Sequence, residues 1–141
     1  MKRIRNSTAV TVLVCFSAWA VALAGEHDHH RDQHHWMSAQ GLYEVRYTSA
    51  LQPIEINRIH GWVLHIETEQ GDPVENAEIT IDGGMPAHNH GLPTSPRVTK
   101  YLGDGNYRAE GFRFHMKGDW QIRITIAAGG KVDTAVIDMT L

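Results

Sequence analysis

Ten histidines against a single cysteine set the chemistry open to this chain of 141 residues. His27, His29, His30, His34 and His35 crowd the stretch 25–40, GEHDHHRDQHHWMSAQ. His88 and His90 lie in Gly84-Met85-Pro86-Ala87-His88-Asn89-His90-Gly91, and His115 stands beside Met116. In an extended segment, residues two apart project the same way, so His88 and His90 can offer two imidazoles to one ion. Pro86, Pro93 and Pro96 stiffen that loop and lower the entropy cost of holding the pair. Met85 and Met116 add thioethers, which gives a candidate metal site of Met85, His88, His90, His115 and Met116. Imidazole with thioether, without thiolate, is a soft neutral ligand set that suits Cu(I), and with more nitrogen Cu(II), better than Mg or Ca. Zinc accepts histidines but gains little from methionine. The competing reading is that the two loop histidines cap turns and both methionines pack the end of the domain.

A second candidate lies at the start of the exported chain. Cleavage after Ala24 leaves Gly25-Glu26-His27 as the new terminus. Its amine, two amide nitrogens and third-position imidazole form a square-planar set suited to Cu(II) or Ni(II). His60 and His65 share one apolar run at odd spacing, so they point to opposite faces of a strand and at most one can join a shared site. Neither is assigned to it. No G-x-S-x-G, no carboxylate pair in a plausible cleft and no phosphate-cradling loop occurs, so the expectation is a binding protein and not an enzyme. Gly103-Asp104-Gly105-Asn106 has the composition of a calcium loop without its spacing and is expected to be a hairpin turn.

The N-terminus carries an export signal. Lys2, Arg3 and Arg5 precede an apolar run from Ala9 to Ala22, and Ala22-Leu23-Ala24 supplies the small residues of a cleavage site. The expectation is a signal peptide over 1–24, a periplasmic or secreted product and no stable membrane anchor after cleavage. Val14 before Cys15 argues against lipidation, and cleavage removes that cysteine, so the mature chain has neither disulfide nor thiolate. Without the three leader cations, 10 Lys+Arg face 16 Asp+Glu, a formal net charge of −6. An acidic surface without a Lys/Arg cluster argues against nucleic acid and anionic lipid as partners.

The elements that must position these groups are strands. Residues 25–40 lack apolar periodicity and read as a disordered histidine-rich arm, with the domain spanning 41–141. Leu42–Thr48 alternates, Ile56–Thr68 places Trp62, Leu64 and Ile66 on one face, and Ala77, Ile79 and Ile81 mark a third strand. A long loop over Gly83–Pro96 follows, then strands at Arg97–Leu102 and Tyr107–Phe114, the latter bulged at Gly111. Trp120, Ile122, Ile124 and Ile126 give the clearest alternation, and Gly129-Gly130 turns into a last strand, Val132–Met139. About seven short strands with Gly/Pro punctuation predict an all-β, immunoglobulin-like antiparallel sandwich.

The order Gly71-Asp72-Pro73-Val74-Glu75-Asn76-Ala77, Met85-Pro86-Ala87-His88-Asn89-His90-Gly91, Gly105-Asn106-Tyr107 and Phe114-His115-Met116-Lys117-Gly118-Asp119-Trp120 resembles the pattern of YtkA-like domains, relatives of the FixH-like proteins. The resemblance spans roughly residues 58–128. It implies an exported immunoglobulin-like domain associated with copper handling or respiratory-oxidase assembly, with no established enzymatic activity. The family's M-P-x-H-x-H-G loop falls on Met85, Pro86, His88, His90 and Gly91, and its aromatic-x-M-x-G-x-W segment on Phe114, Met116, Gly118 and Trp120. The chain departs from FixH-like proteins in lacking a persistent anchor, and the histidine arm is an addition. The functional expectation is a copper carrier or buffer that exchanges metal with a membrane or periplasmic copper-handling protein. The alternative is a structural or interaction module on a membrane or respiratory complex, with no metal role.

Overall fold

The computed structural model describes residues 34–141. The expected signal peptide, most of the expected arm and the candidate Gly25-Glu26-His27 site lie outside the described residues.

Apolar residues at every second position of Tyr43–Ser49, His60–Thr68 and Asp119–Ala128 can all face one way only if the chain is extended, and these segments are β2, β3 and β8. The other strands are β1 (Trp36–Met37), β4 (Glu78–Met85), β5 (His90–Gly91), β6 (Arg97–Gly103), β7 (Asn106–Phe112) and β9 (Lys131–Thr140). They run in hydrogen-bonded order β1-β2-β3-β7-β6-β4-β8-β9, with β5 paired to β4, and every pairing is antiparallel. The link between β6 and β4 is the single pair Thr80–Arg97, and Ser38 bridges Ala135 of β9. Two sheets, β1-β2-β3-β7-β6 and β5-β4-β8-β9, thus meet at two thin corners as a β-sandwich.

Trp62, Leu64 and Ile66 of one sheet and Trp120, Ile122, Ile124 and Ile126 of the other are essentially inaccessible. Each such side chain contributes about 1.5–3 kcal/mol by leaving water, so these two rows dominate the driving force. Tyr107 closes one edge: its hydroxyl donates to Val74 O (2.7 Å) and accepts from Ala77 N–H (3.1 Å), which pins the segment leading into β4.

Nine strands form among the described residues where about seven were expected; the additions are the two-residue β1 and β5. Residues 36–40, read above as the end of the arm, are strand and turn: Trp36 pairs Val45, and Ser38 is 3% exposed. The second strand starts at His60 and not at Ile56, because Asn57 takes a left-handed conformation that interrupts extension. The loop expected from Gly83 is shorter, since β4 pairs β8 as far as Gly84. The bulge at Gly111 is present: His60 pairs Phe112 and Gly61 pairs Glu110, which leaves Gly111 unopposed at φ 98°.

One buried carboxylate fastens the entry of the chain to β9. Asp133, 3% exposed, accepts the N–H groups of Gln40 (2.9 Å) and Leu42 (3.4 Å) on one oxygen and of Thr134 (2.8 Å) on the other. Burial, the largest single effect, pushes its pKa up, but the Ser38 hydroxyl and the three amides together outweigh it and hold the carboxyl below its ordinary value. Its stabilisation is therefore complete above the unfolded carboxylate range and fades as pH falls through the depressed folded value. Asp133→Ala should cost roughly 2–4 kcal/mol in urea unfolding at neutral pH. The gap to the parent protein should narrow as pH drops below about 3.9.

Candidate metal site

Three connections meet at one end of the sandwich: the β4–β5 hairpin, the segment 113–118 between β7 and β8, and residues 50–59 before β3. The hairpin turns through a short 3₁₀ turn, Pro86–His88, with Pro86 fixing its first φ and Asn89 left-handed at its end. The extended His88-x-His90 geometry expected from spacing is therefore not the one formed. Gly84 allows the hairpin to close, because a Cβ there would collide with the backbone carbonyl of His90.

The turn nevertheless brings the imidazoles side by side. Ring centres of His88 and His90 lie 6.3 Å apart, and those of His90 and His115 lie 5.9 Å apart at an interplanar angle of 86°. A metal–nitrogen bond near 2 Å puts a ring centre about 3 Å from the ion, so two rings on one ion lie at most roughly 6 Å apart. The His90–His115 pair satisfies that limit and His88 stands at its edge. His88 and His90 are exposed, whereas His115 is partly buried and its Nδ1 is enclosed without a hydrogen-bond partner among the described residues. A buried imidazole nitrogen with nothing to bond is the atom a metal would satisfy.

Met85 is 1% exposed and belongs to the core. It is the direct cross-strand partner of His90, and directly opposed residues project to the same face. Its methyl end lies against Gly118, where a Cβ would stand 2.7 Å away. Met116 is partly buried against the same core, and its carbonyl accepts the Trp120 indole N–H at 3.1 Å. Met85 is thus tied to the hairpin by register with His90, and Met116 to the 113–118 connection that carries His115. Among the described residues no three His, Cys, Asp or Glu side chains close on a common point.

A cleft of about 380 Å³ opens beside the hairpin between Met85, His90, Gln121 and Arg123 and gives solvent a path to it. The Arg123 guanidinium, 2.6 Å from Asp82, and the Gly83 amide hold the Asp82 carboxyl below the usual range, so this rim stays ionised. The family pattern of YtkA-like domains matches residues 50–125, more than half of the sequence. The chain belongs to the YtkA-like family. Among solved structures, the YtkA-like domain is similar to a DUF4426 family protein from Pseudomonas aeruginosa PAO1, with 17% identity, 72% of this chain and 91% of that chain covered, and a TM-score of 0.52. That likeness concerns the fold alone. A weaker likeness is to the ZirS C-terminal domain, with 13% identity, 98% and 86% of the chains covered, and a TM-score of 0.41. No curated protein matches the sequence.

The histidines left out of the candidate set occupy other positions. His65 lies on the outer face, with Nδ1 3.0 Å from Asn106 Oδ1 and Nε2 3.0 Å from Glu67, which also pairs with Arg46. His60 is buried on the Trp62 face, 8% exposed, its Nδ1 donating to Arg58 O at 3.1 Å and its Nε2 without a partner among the described residues. Sequence reasoning missed the placement of Gly118. At φ 125° it turns the 113–118 connection back over Met85, and the G-x-W spacing before Trp120 was the available signal. Gly118→Ala should destabilise the YtkA-like domain by about 1–3 kcal/mol in thermal unfolding, since the backbone is strained for any L side chain and Met85 must move.

Proposed function

We propose that this YtkA-like protein is an exported copper-binding carrier or buffer, periplasmic or secreted, that holds its ion at the His88, His90, His115 end and exchanges it with a membrane or periplasmic copper-handling partner. The observation that supports this most is the approach of His90 to His115, side chains 25 positions apart in sequence, with the enclosed Nδ1 of His115 unpaired. His90 and His115 supply imidazole, His88 joins from the edge, and Met85 offers a thioether from the strand partner position. When bound, copper brings one-electron redox chemistry and a preference for this nitrogen–sulfur set. The Gly25-Glu26-His27 terminus and the arm histidines serve as a separate capture site for Cu(II).

The arm and the domain are separated by substitution. In a chain with His27, His29, His30, His34 and His35 changed to Ala, one equivalent of Cu(I) should remain bound and raise stability by about 2.7 kcal/mol at a free-metal concentration a hundred times the Kd. Adding His90→Ala and His115→Ala should abolish both the retained metal and the stabilisation while the domain stays folded, as read by metal analysis and circular dichroism. Undiminished copper retention in that variant refutes the proposal.

A further inference from the structure

The last strand, β9, is apolar on both of its faces. Asp133, Ala135 and Ile137 are buried toward the sandwich interior, so Val132, Thr134 and Val136 point outward. A sheet with one face in solvent alternates apolar with polar. β2, β4 and β7 follow that rule, presenting Glu44 and Arg46, Glu78 and Asp82, and Arg108 and Glu110. The outward row of β9 instead leaves Val132 57% and Val136 37% exposed. Neighbouring strands widen this row into a patch. On β8, Ala127 pairs Val132 and Thr125 pairs Thr134, and the two threonine hydroxyls bond each other at 2.9 Å. On the other side Ser38 bridges Ala135, and the Ala39 amide donates to the Thr134 carbonyl at 2.9 Å. That register sets Met37, 46% exposed, opposite Val136. None of the residues in the patch is charged.

Single apolar side chains on a surface need no partner, whereas a contiguous uncharged patch across three strands marks an interaction surface. We propose that this face pairs two copies of the chain, β9 crossing β9 in opposite directions about a two-fold axis. Charge selects both the second copy and the direction. Lys131 stands exposed at the start of β9, and Asp138, held by Gln121 at 2.9 Å, stands exposed near its end. The apolar row lies between them. An antiparallel crossing brings each Lys131 to Asp138 of the other copy and lays Val132 over Val136, both contacts occurring twice by symmetry. A parallel crossing would set lysine against lysine and aspartate against aspartate. Arg123, opposite Val136 on β8, is already paired with Asp82 at 2.6 Å, so the contact leaves no cation unpaired at that margin.

The size of the patch fixes the strength of the pairing. Three strands at a spacing near 4.8 Å and five residues at a rise near 3.3 Å cover about 15 Å by about 17 Å. That footprint of a few hundred Å² falls short of the roughly 800 Å² per partner of a stable complex. The hydrophobic core is closed within one copy, so each chain folds alone and the pair forms and parts with concentration. No metal is required.

Sedimentation equilibrium of the purified full-length protein in the presence of a chelator, from micromolar to millimolar concentration, tests the pairing free of any bridging ion. The average mass should climb from one chain toward two and no further. Val132→Lys combined with Val136→Lys should weaken association by about tenfold or more. Its circular dichroism and melting temperature at low concentration should match the parent protein, because both side chains are exposed. Lys131→Asp alone and Asp138→Lys alone should each weaken association several-fold, and the two together should restore it. A parent protein that stays monomeric throughout, association that continues past two copies, or undiminished pairing in the valine variant overturns the proposal. Failure of the double charge reversal to restore pairing overturns the antiparallel arrangement.

Discussion

Phe114 and Trp120 are both driven fully out of water, and the residues between them must bridge two points fixed in the core. Burial of each aromatic side chain is worth about 1.5–3 kcal/mol or more, which exceeds what a short connection can gain by rearranging. The chain therefore emerges at His115, turns at Gly118 and descends again, with the Trp120 indole tied to the Met116 carbonyl. His115 has no freedom to leave this end of the sandwich. Every other feature of the candidate site is arranged around that anchored imidazole.

The hairpin is anchored differently. Met85 is its buried foot, Gly84 its point of closest backbone approach, and the Pro86–His88 turn its exposed head. One side of the site is thus held by core aromatics, while His88 and His90 sit on a head that few buried contacts restrain. Local opening free energies follow buried contact, so motion at this end belongs to the hairpin and not to His115.

The long periodic strands were legible because the side-chain period of two leaves one solution when a face is buried. The rows Trp62-Leu64-Ile66 and Trp120-Ile122-Ile124-Ile126 give the sandwich directly, and the slip of alternation at Gly111 gives the bulge. The short strands were not legible. Trp36–Met37 lies in a polar, histidine-rich stretch, and only its partners, Val45 and Glu44 on β2, make it extended. Residue type singled out His88, His90 and His115 as candidates, but their geometry was not readable: the spacing rule for His88 and His90 assumes an extended segment, whereas Pro86 and the left-handed Asn89 wind it.

The asymmetry of the site bears on whether the proposed function is storage or transfer. A store gains from ligands that are all buried and preorganised, because release is then slow; affinity differences among related sites lie mostly in the dissociation rate. Here the enclosed nitrogen of His115 is fixed, but its partners stand exposed on the hairpin beside an open cleft. On the proposed copper reading, an incoming protein would displace His88 and His90 one at a time while His115 kept the ion, so metal would not pass through a free aquated state. Such stepwise ligand exchange favours a carrier over a sink.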